Sequence, residues 1–275
     1  MSDASTIPAR LRMEWLAVAT TASVLFVAGA TMLSLVADAP ILTAPILTAA
    51  GFVALTAPIG WLVPTVAVAT FELWFCFRHL GLNRPESTDD LIPYRTFGVP
   101  NLVTLARGAL FAALAGFGAL APRATIVWIP AILYGLGCAL DAVDGALARW
   151  LDRRTALGSK LDMAFDTIGF LVAPIVAVLW GQLPIWYLSL SAARYLFKFG
   201  RGLRRRRGKP VYDLPASRLR RPLAGVQMAF IAVALAPIVP FAPARVGAAV
   251  VVLPSLAVFL RDYFAISGRW HNSQA

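Results

Sequence analysis

Charge is scarce in this chain: Asp, Glu, Lys and Arg make up 14% of its 275 residues, against 59% hydrophobic residues. Such a balance excludes an ordinary soluble globular protein. Cysteine is scarcer still. Cys76 and Cys138 stand alone, with no His or second Cys near either at metal-ligand spacing, so neither a disulfide framework nor a zinc site is expected, and both read as small packing residues. No Gly-rich phosphate loop with its Lys occurs, which argues against a nucleoside triphosphatase. No recognisable nucleic-acid module accompanies the net charge of +11, so no nucleic-acid partner is expected.

What the chain has instead is long uncharged runs. They extend from Trp15 to Ala37, Ala39 to Phe71, Gly108 to Pro122, Ala124 to Leu140, Thr167 to Ala193, Pro222 to Ala244 and Val246 to Leu260, and a spanning helix needs about 20 mostly apolar residues. The first run follows Arg10 and Arg12 as a secretory signal would. Its 23 uncharged residues exceed the roughly 7–15 of a cleaved signal core, so it is expected to remain as a span.

The expected fold is therefore all-α, a polytopic membrane helix bundle. Eight spans are predicted, at roughly 14–37, 48–72, 99–121, 125–148, 162–181, 185–200, 222–240 and 245–265. Pro45, Pro58 and Pro64 are placed to break the 39–71 run into a span and a re-entrant piece, which leaves the span count within 39–78 open. The shift to polar residues at Arg84, Glu86, Asp89, Asp90 and Arg95 divides the chain into a two-span appendage (1–80), a cytoplasmic or interfacial segment (81–98) and a six-helix remainder (99–275). Gly108, Ala112, Ala113, Gly116 and Gly118 on the third span are the small residues that close helix packing in lipid requires.

The positive charge is distributed unevenly. With the N-terminus in the cytoplasm, 21 Lys and Arg fall in segments 1–13, 78–98, 149–160, 198–221 and 261–275, whereas only Arg123 and Arg245 fall in loops on the other side. The positive-inside rule then puts both termini in the cytoplasm. The densest cluster, Arg204 to Arg207 with Lys209, Arg218, Arg220 and Arg221, fits either an anchor on anionic headgroups or a part of a substrate site.

Against this background, four acids stand out. Only 14 acidic residues exist, yet Asp141, Asp144, Asp162 and Asp166 lie at the ends of two apolar helices. A charge at membrane depth costs at least a few kcal/mol and usually marks a functional site. Spacings of three and four put each pair on one helix face, and the turn at 150–160 would aim both faces at one volume. Four converging carboxylates repel unless neutralised, and hard divalent cations with oxygen ligands, Mg²⁺ or Mn²⁺, are the natural partners. The plain alternative is loop salt bridges to Arg149, Arg153, Arg154 and Lys160, which would require neither this spacing nor the small residues beside it. Those small residues, Gly145, Ala148 and Gly158, leave room for a bulky group against the backbone. Arg149 adds a fork-shaped phosphate donor. Together they suggest a diphosphate-bearing substrate.

The run from Asp141-Ala-Val-Asp144-Gly145 through Ala148-Arg149 to Gly158 and Leu-Asp162-Met-Ala-Phe-Asp166 resembles the signature of the class I CDP-alcohol phosphatidyltransferase family at every defining position. Pro100-Asn101, Thr104 and Arg107 resemble that family's entry to its first core helix. The resemblance covers about the region 99–265 and is of the phosphatidylglycerophosphate synthase or phosphatidylinositol phosphate synthase type. It implies a six-helix catalytic core that moves a phosphatidyl-type group from a CDP-linked lipid such as CDP-diacylglycerol to an alcohol and releases CMP. It implies that Asp141, Asp144, Asp162 and Asp166 hold two Mg²⁺ or Mn²⁺ ions, with Asp166 also the general base. Gly145, Ala148, Arg149 and Gly158 would border the CDP moiety. Asn101, Thr104 and Arg107 would complete the nucleotide pocket, the alternative being a polar triplet that caps the helix and meets headgroups.

Arg194 interrupts the sixth span, and with Lys198 and Arg218 it is expected to bind a phosphate on the acceptor, favouring glycerol 3-phosphate or an inositol phosphate over uncharged inositol or zwitterionic serine. The alternative is that Arg194 pairs with one of the four Asp residues or snorkels to the interface. The expected partners are the CDP-linked lipid, the alcohol, membrane lipids and, as one option, a second copy of the chain. The expected place is a plasma membrane such as the bacterial inner membrane, with the active site facing the cytoplasm. A cation-coupled transporter is the rival from another class. Gly145, Ala148 and Gly158 at fixed offsets, and the absence of an internal repeat of the Asp-bearing pair, weigh against it. A catalytically dead scaffold is disfavoured because all four carboxylates are present.

Overall fold

The computed structural model describes residues 7–36, 57–86, 92–212 and 217–268. Apart from short 3₁₀ turns and one isolated β-bridge, the regular structure among them is eight α-helices. These are α1 (Ala9–Val36), α2 (Ala57–His79), α3 (Gly98–Gly116), α4 (Ile129–Trp150), α5 (Ala156–Leu179), α6 (Leu188–Arg206), α7 (Arg220–Ala234) and α8 (Phe241–Ile266). Two precede residue 98 and six follow it. Six of the eight, α1 to α5 and α8, are long and apolar enough to cross a membrane. The protein is an all-α, multi-pass membrane bundle.

The expected spans at 185–200 and 222–240 do form helices, but ones that length and composition alone do not qualify as crossings. The 15 residues of α7 rise about 22 Å, short of a hydrocarbon core of roughly 30 Å. The second half of α6 carries Lys198, Arg201, Arg204, Arg205 and Arg206. In the proline-bearing run, residues 39–56 with Pro45 lie outside the described residues, Pro58 stands in the first turn of α2, and Pro64 falls inside α2 without ending it.

The chain forms two compact units, residues 1–176 and 177–275. In the first, α4 and α2 both pack on α3, and α1 packs on α2. Leu11, Cys76, Leu80, Phe97, Leu105, Leu157, Leu161 and Phe165 form a buried cluster at one end. Cys76 is fully buried there and Cys138 is partly buried, both as free thiols. Two hydrogen bonds fasten α1. Trp15 Nε1 donates to the Leu73 carbonyl at 3.1 Å, and Phe97 N donates to the Glu14 carboxylate at 2.9 Å. The second puts an anion at the N-terminus of α3, where the helix dipole favours it.

The segment before α3 braces the turn between α4 and α5. Glu86 N donates to the Arg154 carbonyl at 3.1 Å and Ala156 N to the Arg84 carbonyl at 3.0 Å. Arg153 lies over the Tyr94 ring, 4.7 Å from its centroid, and donates to the Thr96 carbonyl at 2.8 Å. Between the helices, Gly108 is a point of close approach: a Cβ there would stand 2.7 Å from the Phe165 ring and 3.1 Å from the Glu72 carboxyl.

In the second unit, α6 and α7 each pack on α8. Asp262 accepts from Arg220 at 2.7 Å and from Arg261 at 2.9 Å. Gln182 Nε2 donates to the Leu235 carbonyl at 2.8 Å.

Candidate active site

The end of α4 carries Asp141 and Asp144, and the start of α5 carries Asp162 and Asp166. The turn between them closes tightly, with Arg153 N donating to the Ala148 carbonyl at 3.1 Å and Asp152 at φ 45°. Helical spacing and this turn bring one carboxylate oxygen from each of Asp141, Asp144 and Asp162 within 4.8 Å of one another. Asp144 is the buried member, at 7% exposure. The side chains of Asp141, Asp162 and Asp166 are 33%, 49% and 26% exposed.

A single guanidinium reaches three of the four. The Arg107 side chain, 0% exposed, hydrogen-bonds Asp141 through Nη1 and Asp162 through Nη2 at 2.7 Å, and Nη1 lies 3.5 Å from Asp166. The loop salt bridges considered above are not the arrangement found: the ion pairs that the described residues give these carboxylates come from Arg107, and Arg153 is turned to Thr96 and Tyr94. With all four acids ionised, one guanidinium leaves an excess of three negative charges. That excess, presented by hard oxygen donors in one small volume, fits a divalent cation such as Mg²⁺ or Mn²⁺.

Thr104 donates its hydroxyl proton to Asp144 at 2.8 Å. Asn101 donates to Asn83 Oδ1 at 3.0 Å and to Thr155 Oγ1 at 3.1 Å. The residues Asn101, Thr104 and Arg107 therefore share the face of α3 that looks at the α4–α5 hairpin, and α3 has no side-chain cap at its N-terminus. The triplet does not cap the helix. Its side chains bond the turn residue Thr155 and the carboxylates Asp144, Asp141 and Asp162.

The glycines divide in role. A Cβ at position 158 would stand 2.6 Å from Asn101 Oδ1, so the space that Gly158 leaves is filled by Asn101, and Gly158 N donates to Thr155 Oγ1 at 2.9 Å. At Gly145 the nearest atom to a Cβ would be Arg149 Nη1, at an ordinary 3.4 Å. That face stays open, with the exposed Arg149 beside it and Ala148 half-buried one turn on. Arg194, half-buried, and Lys198, exposed, stand four apart on α6, and Arg218 is exposed just before α7. All three belong to the second unit, whereas every other candidate residue belongs to the first.

Three further residues matter to this constellation without belonging to the motif. Asn83 and Thr155 complete the Asn101 network. Glu72, 4% exposed, sits over Gly108 beside Arg107. Its sequence signal is that it follows directly on the 39–71 uncharged run.

Comparison with known proteins yields two findings. The family model described as CDP-alcohol phosphatidyltransferase matches residues 97–260. Proteins of Mycobacterium bovis and Mycobacterium tuberculosis, provisionally named cardiolipin synthase, are 36% identical to this chain over 100 residues. That match covers 36% of this chain and 46% of each relative, so the chain spans about half the length of the curated relatives it matches.

Proposed function

This chain belongs to the CDP-alcohol phosphatidyltransferase family, and from that premise we propose that it transfers a phosphatidyl group from CDP-diacylglycerol to a phosphate-bearing alcohol, releasing CMP. The observation that carries this reading is the convergence of Asp141, Asp144 and Asp162 within 4.8 Å, with Asp166 beside them on α5 and tied to the same Arg107. Asp141, Asp144, Asp162 and Asp166 would hold two Mg²⁺ or Mn²⁺ ions. When bound, the ions neutralise the diphosphate and stabilise CMP as leaving group.

The chain's own residues supply the rest. Asp166 accepts the proton of the acceptor hydroxyl as that oxygen forms its bond to the lipid-side phosphorus, and the bond from phosphorus to the CMP oxygen breaks. Arg149 binds diphosphate oxygens over the open face at Gly145, and Ala148 keeps that face clear. Asn101 and Gly158 hold the α4–α5 turn at its distance from α3, and Thr104 orients Asp144.

We assign the acceptor's phosphate to Arg194, Lys198 and Arg218. Arg194 and Lys198 are like charges within Coulombic range of each other, a repulsion that a bound anion offsets. Glycerol 3-phosphate or an inositol phosphate is the acceptor on this reading. Radiolabelled CDP-diacylglycerol offered with a panel of alcohols should give CMP and a new phospholipid only with phosphate-bearing ones. Arg194→Ala should raise the acceptor KM by about 2 kcal/mol, roughly 30-fold, with CDP-lipid affinity nearly unchanged. Transfer to serine or inositol alone would overturn the acceptor assignment. The mycobacterial relatives' provisional name gives a second reading, cardiolipin as product, which the same chromatogram identifies. A transporter would release no CMP at all.

We further propose that the active site faces the cytoplasm: with α6 and α7 both crossing the membrane, 21 Lys and Arg fall on that side and 2 on the other. With Cys76 and Cys138 replaced, a cysteine introduced at position 205 should react with an impermeant thiol reagent only after the membrane is opened. Labelling from outside intact cells would reverse the orientation.

A further inference from the structure

Glu72 is an acid that the reaction outlined above does not use. It lies in the interior of α2, 4% exposed, on the wall of a cavity of about 300 Å³ lined by apolar residues of α1, α2, α3 and α5, among them Val18, Ala69, Leu105 and Phe165. A carboxyl in such surroundings is expensive unless it meets a partner. Its Oε1 is buried without a hydrogen-bond partner, and so is Nε of the fully buried Arg107. The Glu72 carboxyl lies against Gly108, the next residue along α3, and within Coulombic range of the Arg107 guanidinium.

Arg107 is meanwhile committed to oxygens that a cation would also need. Its Nη atoms take up Asp141 Oδ1 and Asp162 Oδ1, two of the three carboxylates in the metal-compatible triplet. A fixed positive charge there opposes a divalent ion twice, by occupying lone pairs and by direct repulsion. A buried guanidinium that left those oxygens with nowhere to go would be an uncompensated charge in an apolar interior. Gly108 leaves the Glu72 carboxyl room against α3, since a Cβ there would press on both the Glu72 carboxyl and Phe165. The cavity beside Glu72 leaves its carboxylate room to turn.

We propose that Glu72 is a positioning residue, the alternative anionic partner that takes Arg107 when Asp141 and Asp162 turn to a divalent cation. This rests on the assignment of Asp141, Asp144 and Asp162 as metal ligands. It also gives the two-helix appendage a part in the catalytic core: α2 supplies the counter-charge that sets how strongly Arg107 competes for the carboxylates.

The test is Mn²⁺ binding to the full chain in detergent, followed by the paramagnetic resonance of free Mn²⁺. Glu72→Gln should weaken binding roughly tenfold, within the usual range of coupling between sites. Its melting temperature should stay level or rise, because a buried carboxyl is replaced by a neutral group of the same shape. A merely structural Glu72 would show the opposite pattern. In an Arg107→Gln background, Glu72→Gln should make no further difference. Glu72→Asp keeps the charge with a shorter reach and should bind Mn²⁺ several-fold more weakly than wild type, so it carries the test if Glu72→Gln does not fold. Wild-type affinity in either Glu72 variant, or an undiminished Glu72→Gln effect without Arg107, overturns the proposal alone. A wild-type chain that binds no Mn²⁺ overturns the metal assignment itself, and the proposal with it.

Discussion

Asp141→Asn or Asp162→Asn is expected to lower CMP release by on the order of 10³-fold or more and to remove Mn²⁺ binding in the same variant. The three carboxylate oxygens within 4.8 Å are useful to a hard cation because they are anionic as well as close. An Asn side chain offers one neutral oxygen and an NH₂ that points donors at the ion. Two neighbouring carboxylates remain, but the charge that drew the cation has fallen. An excess of chelator should have the same effect on the wild type, since the repulsion between the diphosphate and the acids then goes unopposed. Folding is expected to survive these changes. Arg107 is shared among Asp141, Asp162 and Asp166, so losing one partner should cost less than the roughly 3–5 kcal/mol of breaking a lone buried pair. Size-exclusion chromatography and a melting curve separate the two kinds of loss. Full CMP release in excess chelator would sink the metal assignment.

Asp166→Asn is expected to divide binding from turnover. It should reduce kcat by about 10²–10⁴-fold, the usual contribution of a positioned general base, while the Kd for CDP-diacylglycerol changes little. Asp166 lies outside the tight triplet and meets it through Arg107, with Nη1 3.5 Å away. It sits one turn along α5 from Asp162 and, on the proposed mechanism, would take the acceptor's proton as well as share in holding the cations. Single-turnover measurements at saturating donor isolate this step from product release. If the donor Kd rises in parallel with the fall in kcat, Asp166 acts chiefly in binding the donor, and if kcat is untouched another group is the base.

Much of this was legible in the linear chain, for identifiable reasons. Uncharged runs long enough to span a bilayer mark helices because a helix satisfies the backbone's hydrogen bonds within the segment itself, where lipid offers no partners. The α6 and α7 segments were harder, since an apolar run says little about whether the helix it joins is long enough to cross. The carboxylates were readable because i, i+3 and i, i+4 spacing fixes a shared helix face before any tertiary contact exists. Gly158 shows the limit of that reasoning. A small residue signals that something lies close, but its sequence position does not say what, and the occupant found is Asn101.

By itself, then, the sequence determined the helical membrane class, the short connection that pairs α4 with α5, and the acids that face one volume, all consequences of composition and local periodicity. Only the tertiary structure decided which cation stands among those acids. Arg107 is 34 residues from Asp141 and 55 from Asp162, and no helical period relates positions so far apart. Glu72 met Gly108 in the same way, through the packing of α2 on α3. Contacts of this kind depend on which helix faces pack together, a choice made by side-chain volumes across the whole first unit, where a glycine on α3 admits a phenylalanine from α5 and a carboxyl from α2 at a single point.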